Sequence, residues 1–227
     1  MQPCGEVALD LSHIPAMARR RLGTQARWAV SVADAVLAQA DLPIVWASRY
    51  GDAEKSLALL RDSVAGEPLS PTAFGLSVHN GIGAQHSILR GMRANAVCVA
   101  SMHAAPEAGV MEALGLLHDG AAEVMVVCYD APLPAPYECF HDEPALPFAW
   151  AVLLALAQPG ESGFTLQALP EAACETCAPK SVPHLPHGLE VLQFLLQDQQ
   201  TRLYSPQARD ARAQAGTGQW LWERCHD

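Results

Sequence analysis

Lysine is scarce in this sequence. Lys55 and Lys180 are the only lysines in 227 residues, and the formal net charge is −10 at pH 7. A protein that binds nucleic acid or an anionic membrane surface needs a concentrated positive field. The composition therefore argues against both kinds of partner.

Long apolar stretches and a disulfide framework are also missing. The longest apolar run, from Ala145 to Ala157, has 13 residues and contains Pro147, so it is too short to span a bilayer and indicates a buried strand. Residues 1–10 lack the basic start and apolar core of a signal peptide. The seven cysteines, an odd number, are scattered from Cys4 to Cys225. We expect a reduced, cytoplasmic protein.

The sequence does contain a strand–helix–strand pattern. Residues 96–99 and 123–129 are short, β-branched apolar runs without alternation, which is typical of strands covered on both faces. Between them, residues 104–117 predict an almost wholly apolar helix that ends at Gly120. The turn at residues 100–103 then lies between the carboxyl end of a strand and a helix, where α/β proteins usually place their chemistry.

Further elements flank this unit. Apolar residues at helical spacing predict a helix from Thr24 to about residue 40, and residues 43–48 predict a core strand. A second helix carries Leu57, Leu60 and Val64, which we expect to form its buried stripe.

The second half of the chain is less regular. A proline-rich loop, residues 131–147, precedes a last buried strand at 148–157, and residues 164–169 are expected to pair beside that strand. Leucines at helical spacing predict an amphipathic helix over residues 188–203.

The central block, Ser70 to Pro132, resembles the N-terminal half of the β-ketoacyl synthases, which belong to the thiolase superfamily. The likeness rests on the SP…SxxN segment, the strand, the turn with its apolar helix, and the run Gly-Ala-Ala-Glu-Val-Met-Val-Val, all in the family's order. The stretch SPTAFGLSVHN is similar to a short, chain-length-factor-like subgroup. The resemblance covers roughly residues 19–157.

This resemblance implies an α/β fold like one thiolase half. Its sheet would be mixed, mostly parallel and five-stranded, with helices on both faces and a C-terminal helical extension. Residues 1–170 would form the ketosynthase-like domain, and residues 171–227 would pack on it rather than fold independently. The second half of a ketosynthase supplies two histidines and a lysine, which we expect this chain to lack.

His103 occupies the position where the family carries its acyl-accepting cysteine, if the alignment is taken back from Gly120. An imidazole cannot hold an acyl chain as a stable thioester, which favours an inert replacement. The alternative is a hydrolytic site that uses Ser101, His103 and His79, with Glu107 as a candidate for the third group. Cys98 is the nearest thiol, but the pattern places it in the middle of a strand as a small apolar residue.

Two further groups of residues are candidates for binding. Arg19, Arg20 and Arg21 form the only dense basic cluster, which is either a solvated approach to a helix or a docking patch for an acidic carrier protein. Ser77 and Asn80 match family positions and are expected to hydrogen-bond the local backbone.

A possible zinc site combines two pairs of residues in the pattern C-x2-C…H-x2-H. Its members are Cys174, Cys177, His184 and His187. The interval between the pairs is short and interrupted by prolines, so a coincidental cluster is favoured. We expect no metal and no cofactor.

The resulting prediction is a ketosynthase-like, non-condensing subunit of a polyketide or aryl-polyene type fatty-acid pathway. Its partners would be a full-length ketosynthase, an acyl carrier protein or a second copy. The alternatives are a small acyl-thioester hydrolase or acyltransferase and a homodimeric scaffold. We expect another chain, rather than the C-terminal helix, to cover the apolar helix 104–117, because family members also pair through the preceding strand, here residues 96–99.

Overall fold

A computed structural model describes residues 9–37, 41–169, 184–197, 202–204 and 219–225. Its helices are α1 (Ala16–Arg21), α2 (Thr24–Leu37), α3 (Ala53–Ala65), α4 (Pro71–Ser77), α5 (Gly81–Arg90), α6 (Ala105–His118) and α7 (His187–Leu195), with a short 3-10 helix at Ala135–Phe140. Its strands are β1 (Ile44–Ala47), β2 (Ala96–Val99), β3 (Val124–Asp130), β4 (Phe148–Leu154), β5 (Gly163–Leu169), β6 (Arg202–Tyr204) and β7 (Gln219–Cys225). None of the helices within these ranges has the length and hydrophobicity needed to cross a bilayer.

The main sheet has the strand order β2-β1-β3-β4. β1 runs parallel to both β2 and β3, whereas β4 is antiparallel to β3. Every residue of β3 is buried, because α2 packs against one face of the sheet and α6 against the other. A mixed, mostly parallel sheet with helices on both faces confirms the predicted α/β class.

The sheet contains four strands rather than the predicted five. Residues 164–169 do not pair beside β4; they lie in β5, which belongs to a separate antiparallel sheet of order β5-β7-β6. β5 pairs along its whole length with β7, a partner of seven residues. β7 also places Trp222 in the core cluster that contains Val126 of β3. β5 therefore pairs with a distant C-terminal strand and not with β4, its neighbour in the sequence.

The C-terminal part is also less helical than predicted. α7 ends at Leu195 instead of continuing to residue 203, and the described residues beyond it form the strands β6 and β7. The helix buries Val191 and Phe194, but Leu196 is already exposed, so little apolar packing remains to extend it. The tryptophan-rich segment of β7 has the side chains that favour strands. The division at residue 170 stays a prediction.

α6 begins and ends within one residue of the predicted helix. Its sheet-facing side approaches β1 closely, since a Cβ on Gly109 would lie 2.9 Å from the Cβ of Ala47. α7 and Trp222 of β7 share one core cluster with Val110 and Ala113, so the C-terminal elements help to cover the buried side of this helix. Met111, which helical spacing places on the side turned away from the sheet, is 42% exposed, so the expectation that another chain covers α6 stays a prediction for that side.

The predicted buried stripe of α3 is wrong for two of its three residues. Leu57 is buried, but Leu60 is 54% exposed and Val64 is 90% exposed. α3 packs mainly against the short helix α4, where Phe74 is itself 63% exposed, and among the described elements no strand makes more than a minor contact with α3. These side chains form an exposed apolar face, which we call the α3–α4 face (Leu60, Val64, Leu69 and Phe74).

Candidate functional site

The candidate site lies where three neighbouring strands end. Arg49 follows β1, His103 follows β2, and Asp130 is the last residue of β3. Because β1 is parallel to both neighbours, the three carboxyl ends meet at one edge of the sheet. The sequence predicted this location for His103, and the structure adds the other two residues.

Asp130 fixes the loop after β1. Its carboxylate accepts hydrogen bonds from Ser48 Oγ (2.8 Å) and from the backbone N–H groups of Arg49 (3.0 Å) and Tyr50 (3.4 Å). Burial raises the pKa of Asp130 to about 6 despite these bonds. The buried Asp130 carboxylate thus holds the loop in place and also lines the site.

An ion-pair network surrounds His103. Arg49 donates to Asp142 through both terminal nitrogens, Nη1 to Oδ1 at 2.9 Å and Nη2 to Oδ2 at 3.1 Å. Glu143 Oε1 lies 2.9 Å from Arg49 Nη1, and His103 Nδ1 lies 3.2 Å from Asp142 Oδ2. Burial works against ionisation of Asp142, but its bonds to Arg49 outweigh that effect and lower its pKa. Burial lowers the pKa of His103, although Asp142 opposes the change.

The space at the site is small. The cavity has a volume of about 40 Å³ and is lined by Arg49, His103, Cys128, Asp142 and His187 among others. That volume is enough for one or a few water molecules. An acyl chain does not fit in this conformation.

The thiols near the site are poor nucleophiles. Burial, assisted by nearby carboxylates that include Asp130, raises the pKa of Cys128 well above its ordinary value. Burial also raises the pKa of Cys98 to about 11. The thiolate is the reactive form of cysteine, so both groups stay in the unreactive form at neutral pH.

A second polar network lies directly behind the cavity. Glu107, in the first turn of α6, is fully buried and accepts a hydrogen bond from Trp222 Nε1 at 2.7 Å. His187 Nε2 lies 2.7 Å from the same carboxylate oxygen, and the backbone N–H of His187 donates to Glu143 at 3.1 Å. Burial opposes protonation of His187, but attraction to Glu107 and its hydrogen bonds raise the pKa to about 9.

The residues of the hydrolytic alternative are not assembled. His79 Nε2 lies 2.9 Å from the backbone oxygen of Ser48, and Glu107 is engaged with Trp222 and His187. His103 is paired with Asp142 rather than with Ser101. These four candidates therefore do not form a hydrogen-bonded series of hydroxyl, base and orienting acid.

Ser77 and Asn80 are close in the sequence but differ in their contacts. Ser77 Oγ donates to the backbone oxygen of Phe74 at 2.9 Å, within α4. Asn80 precedes α5 and makes no capping hydrogen bond with its side chain. Neither residue lines the cavity beside His103.

The four residues of the possible zinc site cannot be compared as a set. Cys174 and Cys177 fall outside the described residues. His184 is exposed, whereas His187 is buried against Glu107. Among the described residues, one other group has ligand-like spacing: His103, Asp142 and Glu143 offer atoms within 4.8 Å of one another. Arg49 already supplies the positive charge there.

Sequence reasoning missed most of the network around His103. Arg49 and Asp130 follow predicted strands, so the strand-end rule was a usable signal for both. Asp142 and Glu143 lie in the proline-rich loop, where no local pattern distinguishes them. His187 was noticed only as a metal ligand.

The fold and this site define a ketosynthase-like protein of the thiolase type. The family described as "Beta-ketoacyl synthase, N-terminal domain" matches residues 1–223, and the chain belongs to it. The resemblance seen in the sequence, including its chain-length-factor character, is confirmed.

Solved structures agree with this family. A chain of the complex "Ketosynthase (ApeO) in Complex with its Chain Length Factor (ApeC)" from Xenorhabdus doucetiae is 28% identical, with a TM-score of 0.74 over 93% of this chain and 82% of that one. The ishigamide ketosynthase/chain length factor is 14% identical, with a TM-score of 0.56 over 68% of this chain and 51% of that one. A β-ketoacyl synthase from Burkholderia phymatum is 13% identical, with a TM-score of 0.51 over 61% and 38%. The last two support the fold alone, and no curated protein matches the chain.

The pKa of His187 leads to a testable pH dependence. The folded-state pKa is about 9, above the ordinary value of about 6.5, so protonated His187 stabilises the fold fully below pH 6.5. That contribution is lost as the pH rises from about 6.5 to 9. We expect the free energy of unfolding, measured by urea denaturation, to fall across this window by an amount on the order of a few kcal/mol.

The variant His187→Gln removes the titrating group. It is expected to be less stable than the wild type at pH 6, with no fall between pH 6.5 and 9 beyond that of other groups. His184→Gln, at an exposed position, is the matched control and should follow the wild type. An unchanged pH profile in His187→Gln would contradict the assignment.

Proposed function

We propose that this chain is a non-condensing, chain-length-factor-like subunit that works beside a catalytic ketosynthase in polyketide or aryl-polyene assembly. The observation that carries the proposal is the state of position 103. The residue aligned with the family's cysteine is a histidine, held in an ionic network around a cavity of about 40 Å³. Such a position neither forms a thioester nor admits an acyl chain.

The electrostatics of the site support the same conclusion. A condensing cysteine needs surroundings that stabilise a thiolate, such as nearby positive charge. Here four carboxylates gather near the cavity, from Glu107, Asp130, Asp142 and Glu143, and they act against an additional negative charge. The positive groups at the cavity, Arg49 and protonated His187, are each already paired with carboxylates.

Strand β2 offers a surface for a partner. Within the described residues it pairs only with β1, so its other edge is open. The strand is short, apolar and free of lysine or proline, the devices that usually protect an edge from pairing. The exposed α3–α4 face lies in the same layer, since α3 packs on α4, α4 on α5, and α5 on β2. The 28% identical chain belongs to a solved complex of a ketosynthase, ApeO, with its chain length factor, ApeC.

The first experiment tests catalysis and assembly together. The isolated chain, incubated with acyl- and malonyl-loaded carrier protein, should give no condensation product and no acyl adduct in intact-mass spectrometry. Coexpressed with a full-length ketosynthase from the same genome, it should copurify as a stoichiometric complex.

Two results would overturn the proposal. One is a covalent adduct on Cys98, Ser101 or Cys128, which would support the acyl-transfer alternative. The other is a strictly monomeric chain that ignores the ketosynthases and carrier proteins offered to it.

The open edge of β2 predicts a specific interface variant. The backbone oxygens of Asn95 and Val99 accept bonds from β1, so by strand alternation the N–H of Ala96 points away from β1. Ala96→Pro removes that outward donor and should weaken ketosynthase binding at least tenfold in a pull-down or calorimetric titration. Ala96→Ser keeps the donor and should bind normally, with both variants within a few degrees of the wild-type Tm. Equal binding by the proline variant would exclude this edge.

The arginine cluster supports a second contact, with an acyl carrier protein. Arg20 and Arg21 are exposed on α1, and none of the ion pairs between described residues includes them. On a chain of net charge −10 they form a local positive surface that fits an acidic partner.

Charge reversal tests this contact. Arg20→Glu should weaken binding of holo acyl carrier protein several-fold in fluorescence anisotropy at low salt and reduce its salt dependence. Arg61→Glu, an exposed residue of α3 with the same charge change, is the control. If both variants weaken binding equally, net charge and not the α1 cluster accounts for the effect.

A further inference from the structure

The contact between Arg49 and Asp142 has the geometry of ligand recognition. The two terminal guanidinium nitrogens meet the two carboxylate oxygens in parallel, at 2.9 and 3.1 Å, and His103 Nδ1 lies 3.2 Å from Oδ2. A guanidinium fork is a common way to bind a planar carboxylate. His103 Nδ1 adds a donor in the tautomer protonated at this nitrogen, whereas in the other tautomer it accepts from Arg49 Nη2 at 3.4 Å.

The receptor side of this contact is fixed by the fold. The Arg49 side chain is only 11% exposed, its guanidinium lies 4.9 Å from the centre of the Tyr50 ring, and its backbone N–H is held by Asp130. His103 is set between β2 and α6. The backbone of Arg49 is therefore fixed by Asp130, and its guanidinium is held beside Tyr50 as well as by Asp142 and Glu143.

The bound side lies on a different kind of segment. Asp142 follows the 3-10 helix and precedes β4, in a stretch without helix or strand, and its side chain is 26% exposed. The segment is also held by Glu143, which pairs with Arg49 and accepts a bond from the His187 N–H. Arg49 Nε is buried and has no acceptor among the described residues, so the fork retains a spare donor.

We propose that Arg49 and His103 form a carboxylate-binding site, and that Asp142 occupies it as an internal ligand. The external ligand is a small monocarboxylate that displaces Asp142. Its size follows from the cavity of about 40 Å³ together with the space of one aspartate side chain. Its single charge follows from Glu143, which already neutralises part of the arginine and disfavours a dianion. The experiments that follow use the isolated chain, so their results do not depend on the proposed role as a ketosynthase subunit.

Chemical rescue tests the site directly. Asp142→Gly removes CH2–COO−, which acetate replaces, whereas Asp142→Ala keeps the Cβ and leaves room for formate. Each variant should melt about 4–8 °C below the wild type, because a charged, bidentate contact is lost. Acetate should restore the Tm of the glycine variant saturably, and formate should be the better ligand of the alanine variant. Sodium chloride at equal ionic strength should restore neither.

Two controls separate a site from a general salt effect. Asp142→Gly combined with Arg49→Met lacks the fork and should show no saturable response to acetate. The wild type, whose site is filled, should show a much weaker response than the glycine variant. Equal stabilisation of all variants by acetate, or no rescue of either single variant, would overturn the proposal.

A measurement on the wild type covers the case in which both variants fail to fold. Cys128 lines the cavity and is fully buried, so its modification by a thiol reagent reports on opening. Acetate, but not chloride, should accelerate modification of Cys128 at least several-fold and saturably, as mapped by peptide mass spectrometry. The exposed Cys225, far from Asp142 in the chain, provides an internal control whose rate should not change. A Cys128 rate that is independent of acetate would refute displacement of Asp142.

Discussion

The buried carboxylate of Glu107 determines how the two halves of this structure fit together. It lies in the first turn of α6 and contacts His187 at the start of α7 and Trp222 in β7, both at 2.7 Å. A charge removed from water is strongly unfavourable unless it is paired and hydrogen-bonded. The central helix, the C-terminal helix and the C-terminal strand must therefore meet at this point or leave a buried charge unsatisfied. The same contact places His187 at the back of the cavity beside His103.

This anchor explains why a nearly apolar helix needs no second chain on its inner side. The sheet covers one face of α6, and Val191, Phe194 and Trp222 cover another through the same core cluster. Apolar surface that is left for association includes the edge of β2, the α3–α4 face and Met111 on the outer side of α6. Leu60 and Val64 were expected to be buried because their spacing is helical, but spacing identifies only a shared face. Whether that face meets a core depends on the surrounding elements.

The sequence pattern therefore predicted those strands, helices and turns that local interactions determine. The strands around residues 45, 97 and 126, the apolar helix α6 and the turn that carries His103 could all be read from the sequence. The pairing of β5 with β7 joins residues such as Leu166 and Trp222, more than fifty positions apart, and no periodicity encodes that choice. The network around His103 has the same character. Arg49, His103 and Asp142 come from three separate segments, so their meeting depends on strand order and on the path of a proline-rich loop.

The chemistry of the site follows from how its charges are distributed. A ketosynthase-type nucleophile would need an accessible thiol and positive surroundings. In this chain Arg49 is paired with Asp142 and Glu143, and carboxylates near Cys128 raise the pKa of the one thiol that lines the cavity. The arrangement stabilises the closed cavity and disfavours a thiolate in it. The strand end that serves catalysis elsewhere in the family is occupied here by an internal ion pair, while the neighbouring edge of β2 remains open to a partner. The ion pair that opposes condensation lies at the carboxyl ends of the strands, and the open edge that favours association runs along β2, so the two features are neighbours in the fold.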